Sequence, residues 1–93
     1  MPEREVKVLS RALEDLASLS PDVSERISAK IGTLAQDASP RGDTIRRLSG
    51  FDVPTYRLRI GDYRALFRVG PGFVWIFRVV HRSRLDLTLR DLR

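Results

Sequence analysis

The sequence predicts an α+β fold: an N-terminal strand, a two-helix hairpin and then an antiparallel β-meander, in β-α-α-β-β-β order, as a single domain over residues 1–93. Three observations carry this. Apolar residues recur at helical spacing as far as Leu34 and with a period of two from Thr44 onward. Proline and glycine mark the breaks, in "SLSPD", "DASPRGD", "SGFDVP" and "GPG". A chain of 93 residues can bury one core and is too short for two.

Val6 and Val8 alternate with charged neighbours, as in a short opening strand. From about Ser10 the pattern turns helical, with Leu13, Leu16 and Ala17 on one face and Glu14 and Asp15 off it. Ser20 then suits an N-cap, Pro21 the first helical position and Asp22 the positive end of the helix dipole. Val23, Ile27, Ile31 and Leu34 follow as the buried stripe of a second helix. After "DASPRGD" a short strand is expected around Ile45 to Leu48. Strands at about 55–60, 63–69 and 73–80 complete the meander. The C-terminal "LDLTLRDLR" fits a short strand or a last helical turn equally well.

The turns fix registers that can be checked. With Gly61-Asp62 as a two-residue turn, Ile60 faces Tyr63, Arg59 faces Arg64, Leu58 faces Ala65 and Arg57 faces Leu66. Tyr56, Leu58, Ile60, Tyr63, Ala65 and Phe67 then share the face the helices cover. Arg57, Arg59, Arg64 and Arg68 share the other. A three-residue loop, Gly70-Pro71-Gly72, is expected next, because it sets Phe67 against Trp75 and Ala65 against Phe77. It also flanks Arg64 with Arg78. Like charges directly opposite cost about 0.2–1 kcal/mol per pair, so stability alone does not select this face. Arginines on a solvated sheet can also splay outward and cover apolar surface with their stems.

The charge distribution points the same way. Residues 1–40 carry 5 Lys+Arg against 7 Asp+Glu, while residues 41–93 carry 12 against 5, and all 12 of those cations are arginine. The planar guanidinium fork suits bidentate phosphate contact and base stacking, so a polyanionic partner is expected. Cysteine is absent and His81 is the sole histidine, which removes disulfides, thiolate chemistry and a metal site of ordinary type. No cofactor is expected. No apolar run approaches a membrane span, and "MPEREVKVLS" lacks the pattern of a signal peptide, so the expected location is the cytoplasm.

The sequence contains no phosphate-binding glycine loop, no suitably spaced carboxylate pair and no Ser-His-Asp signature. RNA cleavage by its own 2′-hydroxyl remains open to such a chain. It needs a base, cations for the dianionic phosphorane and an acid for the leaving 5′-oxygen. Arginine supplies the cations but is a poor proton donor. As the sole histidine, His81 is the one candidate for shuttling a proton, unless it is a histidine hydrogen-bonded to backbone at a strand end. Trp75, Phe73 and Phe77 read as core rather than as platforms for bases, and Tyr56 and Tyr63 as packed inward.

The stretch "RRLSGFDVPTYRLRIGDYRALFRV", followed by "VWIFRVVHRSR", closely resembles the RelE/ParE superfamily of bacterial type II toxins. That superfamily shows an "LxG" segment, then "YRxRxGdYRvxY", then a strand ending in "V(G)HR". The likeness runs from about Arg46 to Arg84. It implies a toxin neutralised by a cognate antitoxin, and RelE-like members cut mRNA in the ribosomal A site. Carried over by position, Arg57 and Arg59 would bind phosphate, Arg64 and Arg82 would hold the scissile phosphate, and His81 would transfer protons. Arg46, Arg47, Arg68, Arg78 and Arg84 are the further RNA-binding candidates.

Two positions depart from the pattern. RelE-like toxins often carry a C-terminal tyrosine where this chain has Thr88, and Val80 replaces the glycine before "HR". The resemblance therefore implies a ribosome-dependent mRNA endonuclease first. A ParE-like inhibitor of DNA gyrase, or a nucleic-acid-binding toxin homologue weak in catalysis, is the alternative.

Overall fold

The first alternating segment forms strand β1, Glu5–Val8, and the helical stripes form α1, Ser10–Ala17, and α2, Pro21–Gly32. A 3-10 turn, Thr33–Ala35, ends the helical half. Strands β2 (Ile45–Leu48), β3 (Thr55–Ile60), β4 (Tyr63–Gly70) and β5 (Phe73–His81) follow. A second 3-10 turn, Arg82–Arg84, leads into helix α3, Leu85–Leu92, so "LDLTLRDLR" is helical and not a strand. These elements belong to a computed structural model that describes residues 3–93.

The five strands make one sheet in the order β1-β5-β4-β3-β2. β1 lies parallel to β5, and every other pairing is antiparallel. The predicted order is thus present, the short strand expected at Ile45–Leu48 forms β2 at one edge of the sheet, and α3 is added at the chain end. α1 and α2 cover one face. Ala12, Leu16, Ile27, Ile31 and Leu34 meet Ile45, Leu58, Ile60, Ala65, Phe67, Val74, Ile76 and Val79 there in a single core. Phe67, fully buried, is the largest side chain in it.

Pro21 begins α2 as expected, with Ser20 at the N-cap, although the Ser20 side chain makes no capping hydrogen bond. The buried face of α1 differs from the expected one. Ala12 and Leu16 are buried, whereas Leu13 is 54% exposed and Ala17 is exposed. Ala12, Leu16 and the half-buried Leu19 keep spacings of four and three, and Leu13 sits about 100° around the helix from Ala12.

The β3–β4 hairpin has the expected register, with Ile60 opposite Tyr63 and Arg59 opposite Arg64. Gly61 takes φ +57° at the first central position, as a type II′ turn requires. The β4–β5 hairpin does not follow expectation. Gly70 pairs with Phe73 across a two-residue Pro71-Gly72 turn, which places Trp75 opposite Arg68. A β-bulge at Phe77 then shifts the register, so that Leu66 faces Arg78 and Ala65 faces Val79. The extra residue restores the alternation: Val74 and Ile76 before the bulge and Val79 after it all face the core.

Two further expectations fall with that register. Arg64 is opposite Arg59 on one side but opposite Val80, not Arg78, on the other. Phe73, Trp75 and Phe77 are half-buried and lie outside the main core. Phe73 and Trp75 pack at 5.0 Å with their rings tilted by 35°, Lys7 lies over the Phe73 ring, and Gly70 leaves room for them, since a Cβ there would come within 2.9 Å of the indole.

Candidate nucleic-acid interface

The face of the sheet away from α1 and α2 is divided. α3 covers one part, running from the end of β5 to the β2–β3 loop. Leu89 is buried there along with Leu66 and Val80, and Arg93 donates to the Ser49 carbonyl. Phe73 and Trp75 take the end beside β1, and arginines take the part over β2, β3 and the start of β4. β2 pairing places Arg46 opposite Arg57, and the β3–β4 turn places Arg59 opposite Arg64. Arg82 follows β5, and its N–H donates to the Asp62 carbonyl at 2.7 Å.

Asp43 sits at the centre of this cluster. The turn Arg41–Thr44 is closed by the N–H groups of Thr44 and Ile45 donating to the Arg41 carbonyl, and it carries Asp43 to the edge of β3. Arg57 donates to the Asp43 carbonyl oxygen and to Oδ1, both at 2.9 Å, and Arg59 donates to Oδ2 at 2.7 Å. Arg46 approaches Oδ1 at 3.3 Å. These donors, Arg57 first, hold the Asp43 carboxyl below the usual range for aspartate.

Arg64 is differently placed. It donates to the carbonyls of Gly61 and Tyr63 at 2.8 and 2.9 Å, and among the described residues no carboxylate lies within ion-pair distance of it. Burial first, then the charges of Arg57 and Arg59, pushes its guanidinium below its ordinary value. Arg82 meets Asp62 only at 3.5 Å, with both side chains exposed, an ion pair worth little in water. Arg59, Arg64 and Arg82 therefore present guanidinium donors to solvent, which is the arrangement a phosphodiester needs.

The other candidates lie elsewhere. Arg68 is sandwiched by the Phe51 and Phe77 rings at 5.9 and 5.1 Å and donates to Thr55 Oγ1. Arg78 forms a two-pronged pair with Asp15 of α1, whose carboxylate also accepts the Val79 N–H at the edge of β5 that β1 leaves open. Arg47 pairs with Tyr56 and so points to the opposite face. Arg84 is exposed and lines a groove of about 390 Å³ between α1 and α3.

His81 belongs to that groove and not to the arginine cluster. It pairs with Tyr63, whose ring it meets edge-on at 5.3 Å, and its Nδ1 lies against the Ser83 hydroxyl and N–H. Thr88 lines the same groove, and its hydroxyl donates to the carbonyl of Arg84, the residue that caps the N-terminus of α3. Among the described residues, no group of His, Cys, Asp and Glu has the geometry to hold a metal ion, and no helix is long and apolar enough to cross a membrane.

The shared face of Arg57, Arg59 and Arg64 was legible from the β3–β4 turn alone. Asp43 was not, since its contacts depend on the β2–β3 register, which the irregular "SGFDVP" loop does not specify. Asp15 escaped for a related reason: its partner Arg78 is aimed by the bulge at Phe77.

The fold has counterparts among known proteins. The fold matches the toxin–antitoxin complex RelBE2 of Mycobacterium tuberculosis with a TM-score of 0.74 at 26% identity, over 86% of this chain and 99% of that one. It matches the archaeal RelE–RelB complex of Pyrococcus horikoshii with a TM-score of 0.73 at 26% identity, over 88% and 98%. A chromosomal ParDE system of P. aeruginosa shares the fold at 18% identity, with a TM-score of 0.56 over 85% and 96%. None of the curated proteins matches the chain. The family model for the ParE toxin of the type II toxin–antitoxin system parDE matches residues 6–86. The chain thus belongs to the ParE toxin family, within the RelE/ParE superfamily of type II toxins.

Proposed function

We propose that this toxin is a ribosome-dependent mRNA endonuclease that grips the RNA backbone with Arg57, Arg59, Arg64 and Arg82. The observation that carries the reading is the convergence of these cations on one face, with Arg64 free of any carboxylate partner among the described residues. Held around a scissile phosphate, they would stabilise the charge that builds as the 2′-oxygen attacks. No histidine joins them there, so proton transfer falls to solvent or to the ribosome, and cleavage is expected to be slow. The two relatives at 26% identity are toxins bound to their antitoxins, which supports a cognate antitoxin as the partner between periods of activity. The same arginine face is complementary to an acidic antitoxin segment.

A second reading, inhibition of DNA gyrase, draws on the ParE family match and on the separation of His81 from Arg64. It requires no proton-transfer group at all. Primer extension on reporter mRNA after induction distinguishes the two. Codon-phased cuts at the A site, lost in Arg64→Ala and Arg82→Ala, support the endonuclease. An SOS response with trapped gyrase–DNA complexes and intact mRNA supports the gyrase reading.

A further inference from the structure

Two of the arginines proposed to bind phosphate already hold an anion. Asp43 Oδ1 accepts from Arg57 and Oδ2 from Arg59, so the two carboxylate oxygens occupy positions that two phosphate oxygens would take. The two arginines differ in how they depend on it. Arg57 is 12% exposed, and its other nitrogen is held by the Asp43 main-chain carbonyl, so the turn's backbone still aims it when the carboxylate leaves. Arg59 is 52% exposed and, of these two contacts, makes only the one to the carboxylate. Asp43 itself is 48% exposed on a four-residue turn, which leaves its side chain room to rotate outward.

We propose that Asp43 is a built-in competitor of the incoming polyanion: its carboxylate fills the phosphate position between Arg57 and Arg59 in the free toxin, and a backbone phosphate of RNA binds by displacing it. The inference rests on the arginine face being the RNA-binding surface. It makes the aim of Arg57 a task of the backbone and the occupancy of the site a task of the carboxylate. Neutralising the carboxylate therefore strengthens binding, whereas a carboxylate that merely positioned the arginines would weaken it when lost. The tighter binding comes from extra phosphates engaged, so it is largest at low salt.

The test measures fluorescence anisotropy of a short single-stranded RNA with 2′-O-methyl riboses, which its own 2′-oxygen cannot cleave, against a salt series. Wild type, Asp43→Asn and Arg64→Ala are compared. Asp86→Asn adds the same charge on α3 outside the cluster, and Asp43→Ser is a second removal of the carboxylate should Asp43→Asn melt early. Asp43→Asn and Asp43→Ser are expected to bind at least about threefold more tightly, with a salt slope steeper by about 0.7 for each extra phosphate neutralised. Asp86→Asn is expected to stay near wild type, and Arg64→Ala to bind weakly. If Asp43→Asn binds no better than Asp86→Asn while Arg64→Ala still loses binding, the competitor role is overturned and the RNA-binding face stands. If Arg64→Ala binds as wild type does, the RNA-binding face itself fails, and the competitor role with it.

Discussion

Arg64 and His81 leave the sheet on opposite faces. Arg64 pairs with Val80 and His81 with Tyr63, one step apart in the same β4–β5 ladder, and side chains alternate at each step. Arg64, which has no carboxylate within ion-pair distance among the described residues, and the one imidazole of the chain are therefore set in different surroundings: guanidinium groups for Arg64, and for His81 the groove between α1 and α3 at the open edge of β5. The side chains to which the family resemblance would give phosphate-binding and proton-transfer roles thus stand on alternate faces of one ladder.

His81→Gln is expected to reduce growth arrest by less than about tenfold, and to leave RNA affinity near wild type. Removal of a working general acid or base costs about 10²–10⁴-fold. A loss of that size in dose–response induction assays would place His81 in the chemistry.

Asp15 joins α1 to β5 by accepting from Arg78 and from the Val79 N–H, with both side chains largely shielded. Asp15→Ala strands a half-buried guanidinium and a strand-edge N–H. It is expected to destabilise by about 2–3 kcal/mol, and Asp15→Asn, which keeps an acceptor, by less. Urea unfolding with an unchanged m-value checks both.

Thr55 is fully buried, and its hydroxyl donates to the Val53 carbonyl while accepting from Arg68 Nε. Thr55→Val keeps the shape and loses both bonds, so a cost of about 1–2 kcal/mol is expected in the same unfolding assay. The Arg68 guanidinium should also loosen from Phe51 and Phe77, detectable as ring-shifted side-chain resonances returning to ordinary positions.

Asp43 has a folded pKa below its unfolded value, because Arg57 and Arg59 hydrogen-bond its charged form. Its contribution to stability is therefore complete above the unfolded value of about 3.9 and is lost as pH falls through the lower folded value. The difference in melting temperature between wild type and Asp43→Asn should stay level from neutral pH down to about pH 4 and shrink below it. NMR titration of the Asp43 carboxyl carbon should give a midpoint under the ordinary aspartate value.

The parts of the molecule that could be read from sequence are those fixed by local rules. Gly61-Asp62 determines a turn, the turn a register, and the register the arginine face. Pro71-Gly72 obeys equally local chemistry, yet its register depends on whether a bulge follows. The bulge at Phe77 answers a demand of the core, that Val74, Ile76 and Val79 all face inward, which no residue near the turn announces. Leu13 illustrates the same limit on a helix, where either of two neighbouring stripes could have packed and the sheet selected the one through Ala12. Asp43 and Asp15 are contacts between segments far apart in the chain, visible only once those registers are set.

The proposed function requires the arginine face to act on ribosome-bound mRNA. Purified ribosomes carrying a defined mRNA with an empty A site, mixed with wild-type toxin or Arg64→Ala, test it most directly by mapping RNA 5′ ends. The expected result is cleavage in the A-site codon by the wild type alone, with none on free mRNA. Intact A-site mRNA with the wild-type toxin, alongside inhibition of gyrase supercoiling by the same preparation, would contradict it.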